Sequence, residues 1–304
     1  MPKIAELPHN LRPFAFHGLD INWKEGEAQA SAACPWCGDE EHFSIKVETG
    51  QWACFKCQQG NAKGGGNALT FIQMLWDESD KATRDYEEIR SDRRLLRVET
   101  LEAWGVCRSI LSGEWLIPGY SVKGRLVQLY VYRQDRGGRF IVQATPARGS
   151  ISSAGLFGRL FYDERKRHVY LCEGCWDGMA LWETMKEAKP FDGHLQMTAS
   201  HEDNLLADIN VLAVPGCSIF EEGWLPLFAD KVVMLLYDND YPRINPKTGE
   251  QMAPGALQGM RKAAEMLSGA KQPPAEIRCV KWGPAFYNLD LPSGYDVRDL
   301  LTKA

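Results

Sequence analysis

Two short apolar runs in the second half of the chain each end on carboxylates. His168-Val169-Tyr170-Leu171-Cys172 leads into Glu173-Gly174, with Asp177 just beyond, and Val232-Val233-Met234-Leu235-Leu236-Tyr237 leads into Asp238-Asn239-Asp240. Unbroken apolar runs of this length read as strands buried on both faces of a parallel sheet. An open α/β sheet binds its ligands beyond the carboxyl ends of its strands, so such a fold would bring these acids into one crevice. Crowded carboxylates repel one another unless a cation lies between them, and hard oxygen donors select Mg²⁺ or Mn²⁺. The pattern therefore predicts metal-assisted phosphoryl transfer. Asp238 and Asp240 are two positions apart, so in extended backbone they face the same way. The plainer alternative is that each acid is a helix cap or a solvated loop residue, and it must then hold at both strand ends at once.

The surrounding sequence alternates strand and helix from Arg167 onward. Val169–Leu171 precedes a helix at Gly178–Lys186, Val211–Val214 runs into Pro215-Gly216, Val232–Tyr237 precedes a helix at Gly255–Leu267, and Ile277–Val280 is a last strand. This order predicts a small, mostly parallel α/β sheet. The proline-containing stretch Tyr241–Pro254 reads as a loop inserted beside the acids. Upstream, Trp115–Pro118, Arg125–Tyr132 and Phe140–Val142 are separated by turns at Lys123-Gly124 and Arg136-Gly137-Gly138. They predict an antiparallel, partly exposed sheet. Asp77–Arg97 is dense in charge and reads as a surface helix or a linker, which sets a domain boundary there.

The first 76 residues carry a different signal. Cys34-Pro35-Trp36-Cys37 and Cys54-Phe55-Lys56-Cys57 are two C-x₂-C pairs, and between them Phe43, Ile45 and Val47 alternate before a Thr49-Gly50 turn and Trp52. Each pair supplies two thiolates from one knuckle, and four sulfurs complete a tetrahedron around zinc. A closed site of this kind holds a fold together and leaves no place for substrate. His42 is a surplus donor on the hairpin. Gly64-Gly65-Gly66-Asn67 then breaks the chain before an amphipathic helix at Ala68–Trp76. Cys172 and Cys175 repeat the spacing around Glu173, but with no second pair they read as buried thiols. Nine cysteines without an apolar leader argue for thiols and metal ligation, hence for a cytoplasmic protein.

At 304 residues the chain has room for about two domains. No stretch reaches the roughly 18 apolar residues of a membrane span, so no membrane partner is expected. The net charge of −5 hides an asymmetry: Arg90–Arg167 holds 15 Lys/Arg against 7 Asp/Glu, a surplus of +8 that leaves −13 for the remainder. A basic middle beside an acidic metal crevice suits a nucleic-acid substrate, although charge runs by themselves mean only solvation.

Taken together, these residues resemble a known family. Glu173-Gly174 with Asp177-Gly178-Met179-Ala180-Leu181, then Val214-Pro215-Gly216, Asp238-Asn239-Asp240 and Gly255-Ala256, resemble the TOPRIM fold of primases, topoisomerases and some nucleases. The cysteine quartet followed by Gly64-Gly65-Gly66-Asn67-Ala68 and Phe71-Ile72 is similar to the zinc ribbon of bacterial and phage DNA primases. The resemblance implies a mixed α+β and α/β chain: a zinc-ribbon domain over 1–78, a linker over 79–98, a basic mixed-sheet subdomain over 99–166, and a TOPRIM subdomain with a C-terminal tail over 167–304. It implies that Glu173 is the catalytic glutamate, that Asp238 and Asp240 bind metal, and that Asp177 stands beside them. Asp296 and Asp299, in Gly294-Tyr295-Asp296-Val297-Arg298-Asp299-Leu300, resemble the closing Asp-x-x-Asp element and are placed near the magnesium ions. The implied cofactors are one structural Zn²⁺ on Cys34, Cys37, Cys54 and Cys57 and two catalytic Mg²⁺ or Mn²⁺.

The implied activity is synthesis of short RNA primers on single-stranded DNA from nucleoside triphosphates during replication, in a bacterial cell or for a phage or plasmid. Arg125, Arg133, Arg139 and Arg148 are candidates to grip triphosphate or template. Trp36, Trp52 and Phe55 read either as stacking surfaces for bases or as the small module's core. No G-x₄-GK[ST] phosphate loop occurs, so a replicative helicase would be a separate partner. Two competing readings are a non-catalytic recombination or repair mediator and a TOPRIM nuclease. The order of zinc site, basic sheet and acids favours the primase.

Overall fold

Phe43 and Ile45 alternate into a core that Trp52 completes from the returning strand, as their spacing predicts. The computed structural model describes residues 4–59, 64–93, 96–135, 138–142, 154–187, 205–284 and 286–303. It divides into two units, one of Met1–Tyr86, Gly105–Gly119 and Leu126–Ser153, the other of Glu87–Trp104, Tyr120–Arg125 and Ala154–Ala304.

The first unit opens with a short helix α1 (Arg12–Phe16), then β1 (Gln29–Ala32), β2 (Phe43–Lys46), β3 (Trp52–Cys54), α2 (Phe55–Gln59), β4 (Gly65–Gly66) and α3 (Ala68–Ala82). The four strands form one antiparallel sheet in chain order. Gly50 makes the turn between β2 and β3 with φ at +66°, a left-handed conformation that a side chain would strain. Phe43 stacks on Trp52 at 5.4 Å and half-buried Trp36 lies 4.8 Å from Trp52, so Trp52 belongs to the core and Trp36 packs onto it, while Phe55 is 59 % exposed. β1 was not foreseen, because Gln29-Ala30-Ser31-Ala32 shows no large apolar alternation. It is fixed by pairing, from Gln29 opposite Lys46 to Ala32 opposite Phe43.

Asn67 caps α3 by accepting the Thr70 N–H on its Oδ1 at 3.0 Å, a contact that contributes about 1 kcal/mol. Phe71, Ile72 and Leu75 are buried along one face of the helix. The helix runs past Trp76 because Ser79 is buried and its Oγ accepts the Ile110 N–H at 3.2 Å. A second sheet follows in the order β5 (Cys107–Arg108), β6 (Trp115–Tyr120), β7 (Leu126–Asp135) and β8 (Gly138–Val142). β6 is buried along its whole length where a partly exposed sheet was predicted. Helix α3 packs against β5 and β7, and Trp76 Nε1 donates to Gly105 O at 2.9 Å. The turn at 136–137 lies outside the described residues.

The second unit contains α4 (Glu87–Asp92), α5 (Val98–Ala103), β9 (His168–Cys172), α6 (Cys175–Glu187), β10 (Ile209–Ala213) and β11 (Val232–Leu236). It continues with β12 (Arg243–Ile244), β13 (Gln251–Met252), α7 (Gly255–Ser268), β14 (Glu276–Cys279) and α8 (Val297–Lys303). Its main sheet has the order β10-β9-β11-β14 and every neighbouring pair is parallel. Leu171, Leu212, Val233, Leu235, Met260 and Ala263 are buried in one core, where each large aliphatic contributes roughly 1.5–3 kcal/mol. The stretch 79–98, expected as a linker, holds the end of α3 and all of α4, and its Tyr86, Ile89 and Leu96 are buried. The inserted segment after Asp240 is a small hairpin of β12 and β13. Among the described residues no helix is long and apolar enough to cross a membrane.

Candidate functional site

The two knuckles bring Cys34, Cys37, Cys54 and Cys57 together with their sulfurs all within 4.8 Å of one another. Cys34 Sγ to Cys57 Sγ and Cys37 Sγ to Cys54 Sγ both measure 3.7 Å. A tetrahedron with Zn–S bonds of about 2.3 Å has edges of roughly 3.8 Å, so these two edges match it and the quartet is compatible with one zinc ion. Burial pushes the Cys34 thiol up to about 11, whereas the Asp39 backbone N–H holds Cys37 down to about 7. His42 lies outside the quartet, with its Nδ1 on Asp39 Oδ1 at 2.8 Å. Asp39 also accepts the backbone N–H groups of Glu41 and His42, which shapes the loop between the first knuckle and β2.

The carboxylates gather at the carboxyl ends of β9 and β11, which are neighbours in the parallel sheet. Glu173 donates its backbone N–H to Leu236 O at 3.1 Å, and its Oε2 accepts the Asp238 N–H at 3.1 Å. Asp240 Oδ2 accepts the Ala256 N–H at 3.1 Å, which ties it to the first turn of α7. Asp177 lies buried in the first turn of α6. A Cβ on Gly174 would come within 2.8 Å of Asp177 Oδ2, so the Glu173-Gly174 pair leaves the space this carboxylate occupies.

Burial raises Glu173 to about 7, with the charges of Asp240 and Asp296 adding to it. Asp238 is raised to about 10 by burial and then by Glu173, Asp177, Asp296 and Asp240. Asp177 is raised by burial first and by Asp296 next, and its Oδ1 has no hydrogen-bond partner among the described residues. Buried carboxylates left ionised would each cost several kcal/mol, so the set holds protons or a cation. An oxygen-rich donor set with an unpartnered buried oxygen fits Mg²⁺ or Mn²⁺. Among the described residues, however, no three carboxylates close to the 4.8 Å spacing of the cysteines.

Asn239, between the two aspartates, was not singled out from sequence. Its Nδ2 donates to Asn288 O at 2.9 Å and Pro292 O at 3.1 Å, and its Oδ1 accepts the Asn288 N–H at 2.7 Å. Its backbone N–H donates to Tyr295 O at 2.8 Å and its carbonyl accepts the Gly294 N–H at 2.9 Å. This fully buried amide pins the 288–295 segment to the end of β11 and delivers Asp296 to the carboxylate set. Period-two alternation was the available signal: if Asp238 and Asp240 face one way, the residue between them faces the other.

Asp296 and Asp299 form a reciprocal cap at the start of α8. Asp296 Oδ1 accepts the Asp299 N–H at 2.8 Å, and Asp299 Oδ2 accepts the Asp296 N–H at 3.3 Å.

Of the four candidate arginines, Arg125 is exposed just before β7. Arg133 is held inside the first unit by Glu114 at 3.0 Å, by Phe16 O at 3.2 Å and over the Phe16 ring at 4.8 Å. The side chain of Arg139 and the whole of Arg148 lie outside the described residues. Cys172 and Cys175 are both buried thiols.

No family model and no curated protein matches the sequence. Among solved structures, the chain is similar to the zinc-binding and RNA polymerase domains of the Aquifex aeolicus primase, with 14 % identity and a TM-score of 0.46, over 100 % of this chain and 83 % of that one. It is similar to the primase fragment of the bacteriophage T7 primase-helicase protein, with 14 % identity and a TM-score of 0.42, over 90 % and 94 %. A DnaG primase catalytic domain bound to single-stranded DNA is matched at 12 % identity and a TM-score of 0.47, over 77 % and 76 %. These three solved structures are all of DNA primases, and the likeness is one of fold.

Proposed function

We propose that this chain is a DNA primase that synthesises short RNA primers on single-stranded DNA by nucleotidyl transfer in a TOPRIM-type subdomain. The observation that carries the reading is the meeting of Glu173, Asp238 and Asp240 at the carboxyl ends of two adjacent parallel strands. The motif resemblance of these residues and of the cysteine quartet gives the reaction class. Glu173, Asp238 and Asp240 would hold the divalent ions, and Asp177 and Asp296 would add negative charge behind them. When bound, the ions supply neutralisation of the α-phosphate and of the departing pyrophosphate.

The chain's own residues prepare that chemistry. Asp238 N–H fixes the Glu173 carboxylate, Ala256 N–H fixes that of Asp240, and burial first, with the neighbouring carboxylates behind it, raises the proton affinities of Glu173 and Asp238, a cost that a bound cation would offset. Among the described side chains, Arg125 is the candidate with an exposed cation for phosphate oxygens. The zinc module contributes template choice, and nucleoside triphosphates, single-stranded DNA and a separate helicase are the proposed partners.

Incubation with single-stranded templates and labelled ribo- and deoxyribonucleotides, with and without Mg²⁺, tests the reading. Mg²⁺-dependent oligomers that Asp240→Ala abolishes are expected. Shortening of the template with no new product would replace it by the nuclease reading, and DNA binding without incorporation by the mediator reading.

A further inference from the structure

Arg298 brings a positive charge into the carboxylate set. It is the second residue of α8, its side chain is 21 % exposed, and its guanidinium donates to Asp296 Oδ2 at 2.7 Å. α8 packs against α6, which carries Asp177, and the Arg298 charge acts on Asp177 and Asp299 as well as Asp296. Both oxygens of Asp296 are therefore engaged within the protein, one by Arg298 and one by the Asp299 N–H. The charges that act on Glu173 and Asp238, by contrast, are those of other carboxylates. Among the described residues, the cluster has one side with a resident cation and one without.

We propose that Arg298 is a built-in counter-cation that stands in for a metal ion beside Asp177 and Asp296, and so confines divalent-ion binding to Glu173, Asp238 and Asp240. This rests on the metal site proposed above. A guanidinium stays charged at every accessible pH, so the division is permanent. Without it, Asp296 Oδ2 and Asp177 Oδ1, which has no hydrogen-bond partner among the described residues, would become a second pair of donors. Arg298 acts through these carboxylates and is a positioning residue.

Mn²⁺ titration followed by electron paramagnetic resonance, on the full chain with its zinc in place, tests this. Arg298→Gln should bind one more Mn²⁺ per chain than the wild type, and Arg298→Lys should return the wild-type number. Equal numbers for wild type and Arg298→Gln, or an extra ion in Arg298→Lys, overturn the proposal. A second measurement, thermal melting in Mn²⁺- and Mg²⁺-free buffer, separates it from the metal reading. Arg298→Gln should melt below the wild type, and adding Asp296→Asn should restore part of the loss; no restoration overturns the counter-cation. A wild type that binds no Mn²⁺ while the melting series behaves as expected sinks the metal site and supports the charge role of Arg298.

Discussion

The cysteine quartet and the carboxylate set are both clusters of metal-type donors, but they are assembled in different ways. Four cysteines from two local knuckles stand at 3.7 Å pair distances, already at ligand spacing. The carboxylates come from the segments that follow β9 and β11, from α6 and from the segment before α8, and among the described residues no three of them close to that spacing. Thiols pack closely as neutral groups, whereas a buried carboxyl cluster must hold protons or a cation to come together. A structural metal site can therefore be complete in the backbone, while a reactive one is left under electrostatic tension that its ligand relieves.

The contrast can be broken most sharply at the quartet. Cys54→Ser should abolish zinc content, from about one ion per chain to none, and unfold the first module, since structural zinc sites contribute about 10–16 kcal/mol. Metal analysis and loss of the module's protection in hydrogen exchange check this, and a folded, zinc-free module would end the analogy with a closed site. Asp238→Asn should do the opposite to its own region. Nucleotide incorporation should fall roughly 10²-fold or more, while melting at neutral pH without divalent metal stays level or rises, because an amide need not take up a proton to be buried there. A large drop in melting temperature would mean that Asp238 holds the fold and is not under tension.

The first unit also has an acid weakness of its own. His17 is buried with neither ring nitrogen hydrogen-bonded among the described residues, and burial, helped by the Arg133 charge, holds it down to about 3. Because folding disfavours its protonation, the stability it contributes is complete above about pH 6.5 and is lost as pH falls toward 3. Urea unfolding of the wild type should lose about 2 kcal/mol from this group between pH 7 and 5, a loss absent from the His17→Phe series. An identical pH slope in both would remove His17 from the account. The smallest effect is expected at Arg125→Ala, a few-fold weakening of single-stranded DNA binding with a shallower salt dependence, read by fluorescence anisotropy.

The parts of the molecule written in local pattern were readable from sequence. The alternation around Thr49-Gly50, the C-x₂-C pairs and the unbroken runs at β9 and β11 each map onto what the structure contains. What escaped depends on partners distant in the chain. β1 is a strand only because β2 offers it a register, and α3 extends to Ala82 only because Ser79 meets Ile110. Asn239 and Arg298 lack any motif of their own; their importance appears when 288–299 folds back onto β11 and α6. Asp296 and Asp299 carried a second legible meaning, since an acid followed three residues later by another also fits a helix cap.

The bond from Ala256 N–H to Asp240 Oδ2 clasps the two ends of the hairpin excursion at its root. Tyr241 anchors the near side as well, its backbone N–H bonding to Ser293 Oγ and its hydroxyl to Leu289 O at 3.1 Å each, so strand and helix are joined outside β12 and β13. The hairpin is thus a place where the polypeptide can gain, lose or exchange residues, or accept a grafted label, without the neighbouring acids changing position.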